Sequence, residues 1–385
     1  MRLFVPFVIV ALALGALASC SESGERASAG SGAEQRFIDS VPLARFPSDP
    51  EQSLFQVLSG ALSGNSVFIA ESSTPTIHRF ALDGAELGTM GAKGRGPGEF
   101  EYLNWVGFRD SLIVAYDGAT RRVSYFSRAG THIRDVALPV RESYAITSPV
   151  GQFADGTLML RAITKAAMQQ FGAFRSQTTL FRLSSDGTRL DSISVFDDNE
   201  VVRTAMANGG WRQSARPFGR MSIAFAFADS AYVVDNNDRG VQMISQGRVS
   251  RVYPDERRDS IVATADDLRR ERQVYTRGDD PQGSAGKAFD AMLVPRVLPA
   301  YGWGLETWEP PAALTTGGEL WLTQYESART GSPRWTVMDL ATRTSRVVRA
   351  NRGIRILDAN DTLALVLLRD PDGVESVELR RIRRE

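Results

Sequence analysis

Gly91-Ala-Lys-Gly-Arg-Gly-Pro-Gly-Glu-Phe100 places four glycines and a proline within eight residues. Glycine costs backbone entropy and proline removes a donor, so the run belongs to neither a helix nor a strand interior. It lies between an alternating run that ends near Met90 and another that begins near Glu101. Its task is to turn the chain, with positive φ allowed at several points. A dinucleotide fingerprint fits poorly, because no helical pattern follows and Pro97 stands where a helix would start. No Gly-Lys-Ser/Thr phosphate loop occurs elsewhere.

The flanking segments show what the turn joins. Short alternating runs rich in Val, Ile, Leu, Phe and Tyr recur along the chain, and helical periodicity is scarce. Each repeat has a tight Asx or Gly turn followed by an apolar run. Gly64-Asn65-Ser66 precedes Val67–Ala70, Arg109-Asp110-Ser111 precedes Leu112–Ala115, and Ala154-Asp155-Gly156 precedes Thr157–Leu160. Ala228-Asp229-Ser230, Gly317-Gly318-Glu319 and Asn360-Asp361-Thr362 introduce three more. A second turn recurs at Asp83-Gly84, Ala129-Gly130, Asp186-Gly187, Gln246-Gly247 and Ala341-Thr342. Such residues are what tight hairpins require. Each repeat therefore holds four antiparallel strands, and the shortest spacing of about 45 residues matches a propeller blade. The expected fold class is all-β, a six-bladed β-propeller of four-stranded blades. The sixth repeat lacks a fourth strand, since the chain stops after Val374–Leu379. Phe37–Ala44 is a lone strand at the other end, expected to complete that blade and cover its edge.

Gly91–Phe100 then links the last strand of one blade to the first of the next. Gly94–Phe100, read as Gly-x-Gly-Pro-Gly-Glu-Phe, resembles the connector of NHL-type propellers. Tyr232-Val-Val-Asp235-Asn-Asn237-Asp-Arg239-Gly-Val241 resembles the NHL pattern of strand, Asx turn, Arg and strand. Ile113–Asp117 with Arg121–Val123 is a weaker copy. From Arg36 onward the chain resembles the six-bladed propeller lipoproteins of bacteria, with the third, fifth and sixth repeats diverged. The resemblance implies a fold and leaves function open, because propellers host many functions.

The N-terminus reads as a targeting segment. Arg2 precedes an apolar stretch, Leu3–Gly15, too short for a stable membrane span. Leu17-Ala18-Ser19-Cys20 resembles the lipobox of bacterial lipoproteins. That resemblance implies cleavage before Cys20, the only cysteine, and acylation of its sulfur and new amino group by chains such as palmitate. More than one chain makes anchoring stable. Ser21 is not the aspartate that holds such proteins at the inner membrane. The outer membrane is therefore the expected address, with the domain facing the periplasm or the cell surface. Ser21–Gln35 is rich in Ser, Gly, Ala and Glu and reads as a tether with a root-mean-square reach of roughly 20 Å. The expected organisation is 1–20 signal, 21–35 tether and 36–385 propeller. Lys and Arg total 45 against 45 Asp and Glu, so no field attracts nucleic acid. A monomer is expected, and a single thiol excludes an internal disulfide.

Loop lengths carry the functional signal. In a four-stranded meander, the first-to-second and third-to-fourth turns share one face of the disc. The second-to-third turns and the links between blades share the other. The first set is short throughout. The long segments, Ile163–Gln177, Asp197–Pro217, Asp255–Pro311 and Glu326–Pro333, all fall in the second set, as does Gly91–Phe100. Growth confined to one face marks it as the binding face. Asp255–Pro311 is too long for a bare loop. Within it, Thr264-Ala-Asp-Asp267 opens a helix over Asp267–Tyr275, and Lys287–Val294 forms a second that Pro295 ends. Trp211, Arg212, Arg216, Tyr301, Trp303 and Trp308 form the expected rim, joined by Lys93 and Arg95 from the connector. Aromatic and cationic groups suit a peptide, a glycan or a protein partner. The plainer alternative is that the tryptophans pack the insertion onto the disc.

Catalytic chemistry finds little footing. His78 and His132 are the only histidines and both read as strand residues. Zinc would need a further N or S ligand. No nucleophile elbow marks a triad. Asp235, Asn237 and Asp238 make the richest oxygen cluster and could take calcium, although an Asx turn explains them more simply. No cofactor is expected. A non-enzymatic binding or scaffolding propeller is the preferred reading. The alternative is a metal-dependent propeller lyase or lactonase that uses carboxylates in the central channel.

Overall fold

A computed structural model describes residues 35–49, 52–109, 111–205, 209–236, 240–253, 262–276, 284–292, 312–324, 334–351, 353–370 and 372–384. The chain divides into two compact units, Met1–Ala33 and Glu34–Glu385. The first, with Cys20, lies outside the described residues.

The second unit is an all-β propeller. It begins with β1 (Arg36–Phe46). A first meander follows: β2 (Val57–Ser63), β3 (Ser66–Glu71), β4 (Thr76–Ala81) and β5 (Glu86–Met90). The second is β6 (Leu103–Arg109), β7 (Leu112–Asp117), β8 (Arg122–Ser127) and β9 (His132–Ala137). The third has five strands: β10 (Tyr144–Gln152), β11 (Leu158–Thr164), β12 (Gly172–Leu183), β13 (Leu190–Ala205) and β14 (Trp211–Ala215). The fourth is β15 (Ser222–Phe227), β16 (Ser230–Asp235), β17 (Val241–Ser245) and β18 (Arg248–Tyr253). Helices α1 (Ala265–Thr276) and α2 (Ser284–Met292) come next.

The last strands are β19 (Ala312–Leu314), β20 (Glu319–Thr323), β21 (Arg334–Asp339), β22 (Ser345–Arg349), β23 (Ile354–Ala359), β24 (Leu363–Arg369) and β25 (Glu375–Arg384). They join β1 in one eight-stranded sheet of order β19-β20-β21-β22-β1-β25-β24-β23. β1 pairs antiparallel along β25, as the lone N-terminal strand was expected to do. It also pairs parallel with β22 at Arg36 and Phe37.

Second strands are apolar on both faces because a neighbouring sheet covers each side. Every residue of β3 is buried, as are all but the first of β7. Apolar clusters fill the seams between successive meanders. Phe68, Ile77, Phe100 and Ile113 pack between the first and second, and Val114, Val123, Leu158 and Leu160 between the second and third. Met159, Leu180 and Val233 follow, then Tyr232, Val234, Leu320 and Leu322, then Trp321, Val337, Ile356 and Val366. Val67, Ile69, Leu365 and Leu379 join the closing meander back to the first. Each fully buried side chain of this size contributes roughly 1.5–3 kcal/mol.

A polar group stitches the closing seam as well. Asp358, at the end of β23, is fully buried. It accepts from the amides of Leu62 at 2.7 Å, Thr316 at 2.9 Å and Ala359 at 2.9 Å, and from Thr316 Oγ1 at 2.8 Å. Burial pushes its carboxyl up to about 6, against the pull of those donors. The folded state then holds this proton more tightly than the unfolded chain, whose carboxyl titrates near about 4. Stability is expected to fall as pH rises from about 4 to about 6, then level off. Asp358→Ala should flatten that segment and cost roughly 2 kcal/mol, because buried donors lose their acceptor. Thermal melts across this pH range check both effects.

Two expected loops are strands instead. Asp197–Pro217 is the outer half of a long β13 with β14 folded back on it, and Ile163–Gln177 is the end of β11, a 3-10 turn at Ala166–Gln169 and the start of β12. In the outer half of β13 the buried residues are Asp198, Val201 and Arg203, a mix that gives no apolar alternation. The two expected helices are present as α1 and α2. Thr264 caps α1 as a box with Asp267: Thr264 N donates to Asp267 Oδ2 at 2.7 Å, and Asp267 N to Thr264 Oγ1 at 3.2 Å. Glu326–Pro333 lies outside the described residues.

Candidate functional site

The Gly-rich connector is a folded knot. Gly91 has φ +76°, and a Cβ there would meet the buried Phe100 ring at 2.3 Å, so only glycine fits. Phe100 N donates to Ala92 O, and Gly96 N to Glu99 Oε2. Arg122 of β8 donates to the carbonyls of Arg95, Gly96 and Glu99. Asp117, at the end of β7, accepts from the amides of Glu101, Tyr102, Ala119 and Thr120. Burial alone would raise its carboxyl, but these donors outweigh burial and hold it below the usual range. Lys93 Nζ donates to Glu101 O at 2.6 Å, and Arg95 pairs with the Glu101 carboxylate at 2.9 Å. Both expected rim cations thus brace the connector, with Arg95 still mostly exposed.

A second feature grows from the third meander. Arg203 of β13 is 7% exposed. Its Nη1 donates to the carbonyls of Ala167, Met168 and Gln170. Nε and Nη2 donate to Gln213 Oε1 at 3.1 and 2.6 Å. The guanidinium lies 4.7 Å from the Trp211 ring centre and 5.2 Å from that of Phe174. A planar, weakly hydrated cation suits such a sandwich. Register makes it: Arg203 faces Gly172 on β12 and Gln213 on β14. Around it Met168, Phe171 and Trp211 remain 42%, 55% and 48% exposed. Arg212 is exposed beside Trp211. Trp211 and Arg212 were legible as rim residues. Met168, Phe171, Phe174 and Arg203 were not, because only the hairpin register gathers them.

The other expected rim residues divide. Arg216 is turned to α2: its Nε donates to Met292 O at 3.1 Å, and Glu200 lies 3.8 Å from its Nη1. It docks the helical insertion. Tyr301, Trp303 and Trp308 lie outside the described residues, as do Asn237 and Asp238. Asp235 pairs with Arg175. Asn236 next to it is buried, accepting from Met221 N at 2.8 Å and donating to Gly219 O at 3.2 Å. Among the described residues, no group of three or more His, Cys, Asp or Glu is arranged to hold a metal ion.

Exposed large apolar side chains in loops are one-sided among the described residues. Phe55, Tyr102, Val140 and Val262 lie on links between meanders. Met168, Phe171 and Val374 lie in second-to-third turns, and Trp211 on the extension. The rest, such as Val41, Leu87, Ile133 and Val249, sit on outer strands. Among the described residues none occupies a first-to-second or third-to-fourth turn.

A cavity of about 310 Å³ lies between the β1–β2 link and the first meander. Pro47, Gln52, Ser53, Leu54 and Phe55 line one side, and Glu71, Thr74, His78, Phe80 and Glu86 the other. His78 Nδ1 is 3.0 Å from Glu86 Oε1, and its Nε2 is 3.5 Å from Glu71 Oε2. Burial disfavours the imidazolium, but the two carboxylates outweigh burial and raise His78. Glu71 is held below its ordinary value despite burial, by His78 and the Ser73 and Thr74 hydroxyls. The sequence showed His78 only as a strand residue, since its carboxylate partners come from register. His132 is simpler: its Nε2 lies 2.8 Å from Asp135 Oδ1 and its ring packs edge-on against Phe126.

No protein-family model matches the chain, and no curated protein matches it in sequence. Solved structures do resemble it. A candidate exported protein from Bacteroides fragilis matches 91% of this chain and 95% of its own, at 12% identity and a TM-score of 0.50. A member of a domain-of-unknown-function family from Bacteroides vulgatus matches 91% and 99%, at 8% identity and a TM-score of 0.48. A gluconolactonase from Xanthomonas campestris matches 86% and 87%, at 10% identity and a TM-score of 0.40. At such identities the likeness is one of fold alone.

Proposed function

We propose that this protein is an extracytoplasmic, lipid-anchored binding scaffold. On this reading it is an NHL-like propeller of six four-stranded blades that takes a peptide, glycan or protein partner on its long-loop face. The one-sided placement of the exposed apolar side chains that loops carry supports the reading. Interfaces draw on aromatic, Met and Arg anchors. Trp211, Phe171, Met168 and Arg212 offer that set on one protruding hairpin.

The entry of β1 supports display of that face. Arg36 pairs with Arg384 at the end of β25, where other meanders carry a third-to-fourth turn. On this reading the tether would attach on the side of the short turns. Residues 21–35 span at most about 50 Å when extended, which keeps the domain close to the membrane. Cys20→Ser is expected to move the protein from the membrane fraction to the soluble fraction. Retention of that variant on membranes would overturn the lipid anchor. The binding face is tested by comparing what the wild type and a Phe171→Ala/Trp211→Ala variant capture from cell envelopes.

A further inference from the structure

We infer that the outer edge of β14 takes an extended acidic and apolar segment of a partner protein as an added strand, an inference that rests on the binding role given to the Trp211 surface. β14 ends its five-stranded sheet, with β13 on its inner side. Arg216 N donates to Glu200 O. In the register of β13 and β14, that bond makes Val202–Ser214 and Thr204–Arg212 the pairs that exchange hydrogen bonds. Trp211, Gln213 and Ala215 alternate with them, so their N–H and C=O groups turn outward. All three residues are exposed. Among the described residues no backbone group meets that outer row. Donors and acceptors repeating at every second residue along an exposed edge are what another strand satisfies.

Side chains say which strand. Trp211 and Gln213 share the face that holds Arg203. An added strand rests every second side chain against that face, beside the half-exposed Trp211, so apolar residues suit those positions. The opposite face carries Arg212, which is exposed. On the outer half of β13 each carboxylate already has an arginine. Asp197 has Arg175 at 3.7 Å, Asp198 has Arg161, and Glu200 has Arg216 at 3.8 Å. Arg212 pairs with no carboxylate among the described residues, and β14 carries no acid of its own. Its charge is left for a guest, which calls for Asp or Glu between the apolar residues. A second copy is disfavoured at this edge. Pairing β14 with β14 brings Arg212 near Arg212 with no acid between them, and like charges on neighbouring strands repel.

The test uses the full chain and a capped, fluorescently labelled hexapeptide that alternates Val and Glu. Fluorescence polarisation should show binding, and exchange of the Gln213 and Ala215 amide hydrogens should slow when the peptide is present. Two N-methylated versions of the peptide carry the decision. Only one alternate set of peptide amides faces β14, so methylating that set should abolish binding and methylating the other should leave it unchanged. A surface that merely holds apolar side chains treats both versions alike. Arg212→Glu should weaken the Val-Glu peptide severalfold and admit its Val-Lys counterpart. Ala215→Pro removes an outward donor that the ladder with β13 does not use, and should weaken both the peptide and partner capture from cell envelopes. If that variant disturbs the fold, the N-methylated pair decides on the unaltered protein. No binding of the Val-Glu peptide, or equal binding of its two N-methylated versions, overturns strand addition. Capture that is lost in Phe171→Ala/Trp211→Ala but kept in a folded Ala215→Pro also overturns it, and leaves the Trp211 surface in place. A wild-type dimer that Ala215→Pro dissolves puts a second copy at the edge and overturns the peptide.

Discussion

Deleting residues 36–46 is expected to abolish the folded domain, whereas deleting residues 1–35 should leave it intact. β1 supplies Ile38 and Phe46 to two different seams. Their burial alone is worth about 3–6 kcal/mol, a large part of the 5–15 kcal/mol that typically holds a domain together. The strand also covers the edges of β25 and β22. Without it, the closing meander keeps only β23, β24 and β25, and an unpaired edge invites association with other chains. Ion pairs go too: Arg36 with Asp361 at 3.2 Å, Asp39 with Arg383 at 2.7 Å, and Arg45 with the buried Glu378 at 3.1 Å. Circular dichroism melts of the two truncations decide the matter. A cooperative melt for the deletion of 36–46, near that of the longer chain, would show that the ring does not depend on β1.

That strand was readable because its turns and its alternation are local properties. The same holds for the second strands, whose two-sided burial forces runs such as Val67–Ala70. It holds also for the α1 cap, where Asp267 does at close range what a glutamate usually does. Direction was not readable. Lys93, Arg95 and Arg216 lie on the face the sequence marked, yet they point at Glu101 and at Met292 O. A charge in a loop says nothing of which carbonyl it will find. Asp358 illustrates the same limit. Two residues later, Asn360 caps its own turn, accepting from Thr362 N and Leu363 N at 3.0 and 2.9 Å. Asp358 instead reaches Leu62 and Thr316, 296 and 42 residues away in sequence. Its buried position is set by ring closure. The β13–β14 extension escaped for the opposite reason: its buried positions include Asp198 and Arg203 beside Val201, so no apolar alternation marks it as strand.

Replacing Phe171 and Trp211 together with alanine is expected to remove partner capture and leave the fold in place. Both side chains are about half exposed, and truncating an exposed residue usually changes stability by no more than about 0.5 kcal/mol. Arg203 remains fixed by three backbone carbonyls and Gln213, so the hairpin keeps its geometry without the tryptophan. Anchor residues at the centre of an interface cost at least about 2 kcal/mol each, or roughly thirtyfold in affinity. Losing two therefore brings capture below detection. Arg203→Ala separates anchoring from support. It leaves both aromatics in sequence but frees the Ala166–Gln169 turn, so it should lower capture and the melting temperature together. Val249→Ala, on an outer strand away from the long loops, should change neither. Quantitative mass spectrometry of material captured from envelopes by each variant gives the readout. Equal recovery of every partner by the wild type and the double variant would remove the extension from the binding face. It would leave Phe55, Tyr102 and Val140 on the blade links as the surface to test next.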